Sequence, residues 1–298
     1  MGTVVVGIQG EMSMLTVMAP AKINLTLEVL AKRSDGFHEI RSVIQTISLC
    51  DSLCLRPSQS IEFKCGDSRW IAKKSLLPKA LELLQKDTGC CKGAIIEVSK
   101  RIPLVAGLGG DSSGAAAILR GLNQLWDLGL KIQGLVGLAS QLGSDVAFFL
   151  YGGTALVESR GEVVTPLPPL PHMWVIMVVP EVPRLPGKTK QLYASLKASH
   201  YTDGQITERL LKTLREGSRL SVLFNTVENV AFDCLSELGV YREHMVKLGA
   251  IEVHLAGSGP ALFTLLDDRA QAEELYIRFQ QQGLEVYLAE TLEAIEPL

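Results

Sequence analysis

The stretch GLGGDSSGAAA, residues 107–117, constrains the fold more than any other, because it joins a glycine turn to two hydroxyl residues and then to a run of small residues. Upstream, Ile95, Ile96 and Val98 read as a short buried strand. Downstream, Ala115, Ile118, Leu119, Leu122, Leu125 and Trp126 recur at helical spacing. The glycines therefore feed a helix N-terminus. Unpaired backbone N–H groups point outward there, and the helix dipole favours negative charge by roughly 0.3–1 kcal/mol. The missing side chains of Gly107, Gly109 and Gly110 let an anion reach the main chain. Ser112 or Ser113 can cap that helix or touch the anion. A tight turn with a serine cap has the same local signature, so the stretch alone does not decide between the two.

Two common nucleotide-binding patterns are excluded. Gly187, Lys188 and Thr189 supply the end of a Walker loop, but Val182 stands where its first glycine must be. Gly107 and Gly109 begin a dinucleotide fingerprint, but Ser112 takes the third glycine position. The region about 20 residues on is still helical and offers no acidic residue closing a strand.

The chain has 298 residues, 47% of them hydrophobic, and a net charge of -3, enough for two lobes around substantial cores. Lysines and arginines are dispersed among the acids and aromatics make up 6%, so no nucleic-acid partner is expected. The six cysteines form no CxxC pair and read as reduced and structural, and the five histidines are scattered, so spacing draws no zinc site. Residues 4–8 are apolar but have no basic residue before them and are too short to span a bilayer. Neither a signal peptide nor a membrane anchor is expected, and Met12 and Met14 read as alternative starts.

Residues 16–29 and 43–55 alternate and are rich in Val, Ile and Leu, with Ser34, Asp35 and Gly36 between them, which predicts strand, turn, strand. Helix signals fall at 79–84, 136–142, 206–214, 235–248 and 270–281. Strand signals fall at 154–158, 175–179, 252–255, 261–266 and near Val286. A second glycine turn, Gly257, Ser258 and Gly259, joins two of those strands, and prolines crowd residues 166–171. Strands mixed with helices and no regular βαβ alternation predict an α+β fold in two lobes, residues 14–162 and 163–298, with the last strand able to return to the first lobe.

Three separated segments, PAKINL at 20–25, PLVAGLGGDSS at 103–113 and LAGSGPALF at 255–263, together resemble the GHMP kinases, a superfamily of small-molecule kinases. The resemblance covers nearly the whole chain and implies an N-terminal lobe of ribosomal-protein-S5-like type and a C-terminal α/β sandwich lobe. It also implies ATP as phosphoryl donor with Mg2+. The phosphate segment would then comprise Pro103, Leu104, Val105, Ala106, Gly107, Leu108, Gly109, Gly110, Asp111, Ser112 and Ser113. Residues 33–53, 142–162 and 225–228 resemble the branch of the superfamily whose acceptor is a cytidine diphosphate conjugate of methylerythritol, phosphorylated on its 2-hydroxyl for isoprenoid precursor synthesis. The partner implied is that small molecule, with no nucleic acid and no membrane, acting on a monomer or homodimer in bacterial cytoplasm.

Phosphoryl transfer needs a hydroxyl aligned with the γ-phosphorus, removal of its proton and neutralisation of charge. Asp145 matches the family's catalytic aspartate, although local sequence alone favours a helix-capping aspartate. Lys22 is a lone cation in an apolar strand, placed to face the aspartate and polarise the acceptor hydroxyl, or else snorkelling from the strand end. Asn24 shares its strand face. The resemblance implies that cytosine stacks on Phe37 and bonds to His38, and that Thr189 and Tyr193 complete the acceptor pocket from the other lobe. Tyr193 also reads as helix core, and His38 as a turn residue facing water.

Val105, Ala106 and Asp111 stand where the family's phosphate segment usually has glycine, Ser75 where an asparagine lies near the adenine, and Thr226 where an acid is usual. A carboxylate at 111 would repel ATP unless it points away, caps the helix or meets Mg2+. No metal ligand is assigned; Ser113 is the residue considered. Two other readings remain: another GHMP kinase of the homoserine or mevalonate type, and a non-catalytic nucleotide-binding sensor. The Phe37–His38 segment separates the first, and the retention of Lys22 and Asp145 weighs against the second.

Overall fold

The two alternating segments form one long antiparallel hairpin, β1 (Leu15–Lys32) and β2 (His38–Ser58), in a computed structural model describing residues 14–183, 187–218, 220 and 222–295. At about 3.3 Å per residue the 18 residues of β1 extend roughly 60 Å, long enough to serve both lobes. Its turn holds because Gly36 takes φ +85° and the Asp35 carboxylate accepts the Phe37 N–H at 3.0 Å. Register shifts between Pro20 and Ala21 and between Asn24 and Thr26 bracket Lys22 and Asn24, and such bulges re-aim side chains. The expectations for residues 4–8 and Met12 lie outside the described residues.

Next along the chain come β3 (Ile61–Cys65), α1 (Leu76–Thr88), β4 (Gly93–Ser99), α2 (Gly110–Leu125), α3 (Ile132–Leu142), α4 (Phe148–Tyr151), β5 (Thr154–Ser159) and β6 (Val163–Pro166). Strand β2 is long enough to be shared. Its Ser52–Ser58 end pairs with β4 and its Ile40–Gln45 end with β5. Small residues let α2 lie close to the sheet: a Cβ on Gly121 would come within 2.3 Å of Leu55. Helices α1 to α4 cover one face of the hairpin's start around Leu53, Ile118 and Trp126.

The remaining elements are β7 (Trp174–Val178), α5 (Lys188–Ser195), α6 (Gln205–Arg215), β8 (Phe224–Asn225), α7 (Glu228–Cys234), α8 (Ser236–Lys247), β9 (His254–Leu255), β10 (Leu262–Leu266), α9 (Arg269–Gln281) and β11 (Val286–Glu290). A second sheet orders them β11-β7-β10-β9. Burial along β1 is almost continuous because Leu15 and Val17 face the first core, Ile23 and Leu25 a central cluster, and Leu27 and Val29 the core of the second lobe. Each such fully buried side chain stabilises by about 1.5–3 kcal/mol.

The fold is α+β in two lobes, and the lobes interlock more than residues 14–162 and 163–298 describe. Strand β6 pairs with β5, so the first sheet extends to Pro166, and β8 joins β1 in parallel at Thr26 and Leu27. Strand β11 belongs to the second sheet, paired with β7. Its end and the residues beyond it reach back, through the Glu290 N–H to Ser48 Oγ and bridges Ile47–Thr291 and Gly152–Ala294. No helix among the described residues is long and apolar enough to cross a membrane.

Candidate active site

Three loops meet beside the bulged middle of β1. The first leaves β4 and enters α2 at Gly110, with Gly107 and Gly109 at φ +86° and +73°. The second is the turn before α4 that carries Asp145. The third is the β9–β10 connection with Gly257 and Gly259. They touch closely. A Cβ on Gly107 would lie 2.2 Å from the Ala256 carbonyl oxygen, one on Gly109 2.8 Å from the Phe149 ring, and one on Gly257 2.9 Å from Lys22 Nζ. The Ala261 N–H donates to the Ala106 carbonyl at 3.1 Å, and the Lys22 N–H to that of Leu108 at 3.0 Å.

Lys22 is 5% exposed, a strand cation rather than a snorkelling one. Its ammonium donates to Asn24 Oδ1 at 2.7 Å and lies 3.8 Å from Asp145 Oδ2. Asn24 Nδ2 donates to Ser42 Oγ at 2.9 Å, and Ser42 in turn donates to the Thr26 carbonyl. Ser42 must therefore accept from the Asn24 amide, which turns Oδ1 toward the lysine. Asp145 sits in a turn ahead of α4 with about a third of its side chain open.

An aromatic group gathers around His38. The Tyr193 ring, on α5, is 5.4 Å from that of His38, which also meets Tyr201 edge-on at 6.1 Å. Burial, then the negative charge of Asp145, pushes the Tyr193 phenol above its ordinary range. His38 is 8% exposed and held below the usual imidazole value, first by burial and then by Lys32; it is buried rather than facing water. Phe37 is 53% exposed, with the Arg160 guanidinium 5.2 Å from its ring centre. Thr189 Oγ1 is 2.7 Å from Ser258 Oγ, and the buried Lys188 ammonium donates to the Gly259 carbonyl, so α5 grips the third loop.

The phosphate segment borders a cleft of about 360 Å3, faced by Trp70, Ile71, Lys74, Ser75 and Lys100. A wider opening of about 520 Å3 shares Arg69, Lys100, Pro103 and Leu104 with it and is lined on its far side by Glu285 and Tyr287. Of the alternatives for Asp111, the structure selects a cap on the neighbouring helix. One carboxylate oxygen accepts from Ser75 Oγ, the other accepts the Leu76 N–H at 2.9 Å, and the charge lies at the head of α1. Ser113 Oγ is buried and has no hydrogen-bond partner among the described residues. Among the described residues no cluster of three His, Cys, Asp or Glu side chains could hold a metal ion.

Sequence reasoning gave no role to Tyr201, Arg160, Lys188 or Asn225. Arg160 and Asn225 lie inside segments that carried the resemblance, and Lys188 inside the broken Walker pattern. Asn225 Nδ2 donates to the carbonyls of Leu255 and Gly257, at 2.9 and 2.8 Å, shaping the third loop from β8.

A glycine loop feeding a helix N-terminus beside a lysine and an aspartate is the layout of a small-molecule kinase, and the chain belongs to the GHMP kinases. Residues 75–153 match the model of the GHMP kinases N terminal domain, and residues 205–283 that of the GHMP kinases C terminal. A 4-diphosphocytidyl-2-C-methyl-D-erythritol kinase of Dehalococcoides mccartyi is 48% identical over 280 residues, 94% of this chain and 99% of that one. One from Gloeobacter violaceus is 37% identical over 292 residues, 95% and 96% of the two chains. A crystal structure of 4-(cytidine 5'-diphospho)-2C-methyl-D-erythritol kinase matches with TM-score 0.80 and 31% identity, covering 93% of this chain and 98% of that one.

Proposed function

We propose that this protein is a cytoplasmic ATP-dependent kinase that phosphorylates the 2-hydroxyl of 4-diphosphocytidyl-2-C-methyl-D-erythritol, in the non-mevalonate route to isoprenoid precursors. The observation that carries the reading is the Lys22–Asp145 pair: the lysine lies 3.8 Å from the aspartate and abuts the loops of Gly109 and Gly257, while the His38 ring meets that of Tyr193 on α5. The rings of Phe37, His38 and Tyr193 for the base and the glycine loop for the ATP phosphates suit transfer to an acceptor whose nucleotide part and reacting alcohol are separated by a diphosphate.

In this reading the N–H groups opening α2 receive the ATP phosphates, a fit supported by the cleft that Gly107, Gly109, Gly110 and Ser112 line at that helix N-terminus. The unpartnered Ser113 hydroxyl suits Mg2+, which, when bound, would draw charge from the phosphate oxygens; Asp111 is already engaged at α1. Asp145 accepts the proton of the acceptor hydroxyl as that oxygen bonds to the γ-phosphorus, while the bond from phosphorus to the β–γ bridging oxygen breaks and ADP leaves. Lys22, fixed by Asn24, holds positive charge against the acceptor oxygen and the transferring group. Phe37 offers an open ring face for cytosine, His38 polar edges, Tyr193 a wall, and Thr189 a hydroxyl near the diol.

The test is ADP release with ATP and, separately, the cytidine conjugate, homoserine and mevalonate. Turnover is expected with the conjugate alone. Asp145→Asn is expected to lower kcat by about 10²–10⁴-fold while ATP binding persists. Near-normal turnover of that variant, or equal rates with homoserine, would overturn the assignment.

A further inference from the structure

The phosphate segment is tied down at its entry by a group that lies outside it. Asp51 follows the point where β2 bulges away from β1, one residue before the β2–β4 ladder begins at Ser52 and Ser99. Its carboxylate is therefore beside the chain as it leaves β4. Oδ1 accepts the N–H groups of Arg101 and Ile102, at 2.7 and 2.9 Å, and Oδ2 pairs with the Lys100 ammonium. The side chains are 2% and 7% exposed. A buried carboxylate with three donors is well satisfied, and removing its partners would strand a charge.

Lys100 gives this anchor a direction. Its ammonium lies 3.5 Å from where a Cβ on Gly110 would be, at the head of α2, and it borders both clefts beside the phosphate segment. A lysine has four rotatable bonds, and without a fixed partner its charge would spread over a wide arc. The Asp51 carboxylate selects one placement, and the same side chain sets the path of residues 101 and 102 into the loop.

We infer that Asp51 is a positioning residue for the phosphoryl donor: through Lys100 and the two backbone donors it fixes one positive charge and the loop entry at the mouth of the phosphate cradle. The inference rests on the assignment of that cleft to ATP. Asp51 itself does not meet the nucleotide.

The test is calorimetric binding of ADP, which needs no acceptor, together with KM for each substrate. Asp51→Asn keeps a carbonyl oxygen for Arg101 and Ile102 but loses the charge that holds Lys100. It is expected to weaken ADP and raise the ATP KM by about tenfold or more, with the acceptor KM unchanged. Asp51→Glu is expected to recover part of the loss. In a Lys100→Met background, the further change Asp51→Asn is expected to cost little more, because the residue acts through that lysine. Unaltered ADP affinity in a folded Asp51→Asn, or losses that simply add in the double variant, would overturn the inference. If Asp51→Asn does not fold, Lys100→Met and the charge-neutral double variant decide: ADP affinity equal to that of the unaltered protein in both rejects it. Failure of the unaltered protein to bind ADP would instead reject the ATP assignment itself.

Discussion

Burial and Lys32 hold the His38 ring neutral below the pH at which an ordinary histidine charges, and a neutral imidazole offers one donor and one acceptor to a pyrimidine edge. The KM for the cytidine conjugate should therefore stay flat from pH 8 through the ordinary histidine range, near 6.5, and rise only below it, with the ATP KM as the control. A rise centred at or above the ordinary value would show that His38 charges freely. The stability effect has the same sign. On acidification the unfolded chain binds this proton first, so stability from His38 is present above the ordinary value and is lost as pH falls toward the lowered one. At this scale Lys22, Asn24 and Asp145 could be singled out because polar groups in apolar runs stand out and matched a family pattern. Tyr201 and Asp51 were not. The one faces His38 from 163 positions along the chain and the other the loop entry from 50, and neither distance leaves a local trace.

The loop feeding α2 carries a strain that glycine would relieve. Val105 holds φ +58°, a left-handed backbone conformation unfavourable to a β-branched residue, and its side chain is 64% exposed, so little packing repays it. Relief of about 1–2 kcal/mol, offset by the about 0.4–1 kcal/mol of extra unfolded-state entropy that glycine brings, leaves Val105→Gly modestly stabilising. Denaturant midpoints should move upward by that margin with ADP binding intact; an unchanged or lower midpoint would show that the loop is relaxed as it stands. The helix behind this loop was legible from its 3.6 periodicity, and the long hairpin from β-rich alternation on either side of a Ser-Asp-Gly turn. Strands β6 and β8 were harder. Two or four residues carry no period, and their pairing with distant strands alone defines them. Asp111 belongs here too, since only the folded proximity of α1 shows that its charge serves the neighbouring helix.

Neither lobe alone makes the site, because the third loop comes from the second sheet and lands on a lysine of the first. Asn225 and Lys188 bond its carbonyls, Gly107 fits against its backbone, and Gly257 leaves room for the Lys22 ammonium. Gly257→Ala isolates that closure. The new Cβ would stand 2.9 Å from Lys22 Nζ and 3.1 Å from the Gly107 carbonyl oxygen, at φ +57°. The flexible lysine yields before the backbone does, and it yields away from Asn24. Because misplacing a catalytic group by about 1 Å can lower the rate about 10²-fold, kcat should fall by that order while ADP affinity changes little. Left-handed strain of about 1–2 kcal/mol accounts for a melting temperature lower by a few degrees. Gly89→Ala is the matched control. It carries φ +68° with open space around its Cβ position, so it should show a similar loss of stability and full activity. Equal activity losses in the two variants would mean that strain alone, rather than displacement of Lys22, accounts for the effect, and would remove the case for closure between the lobes.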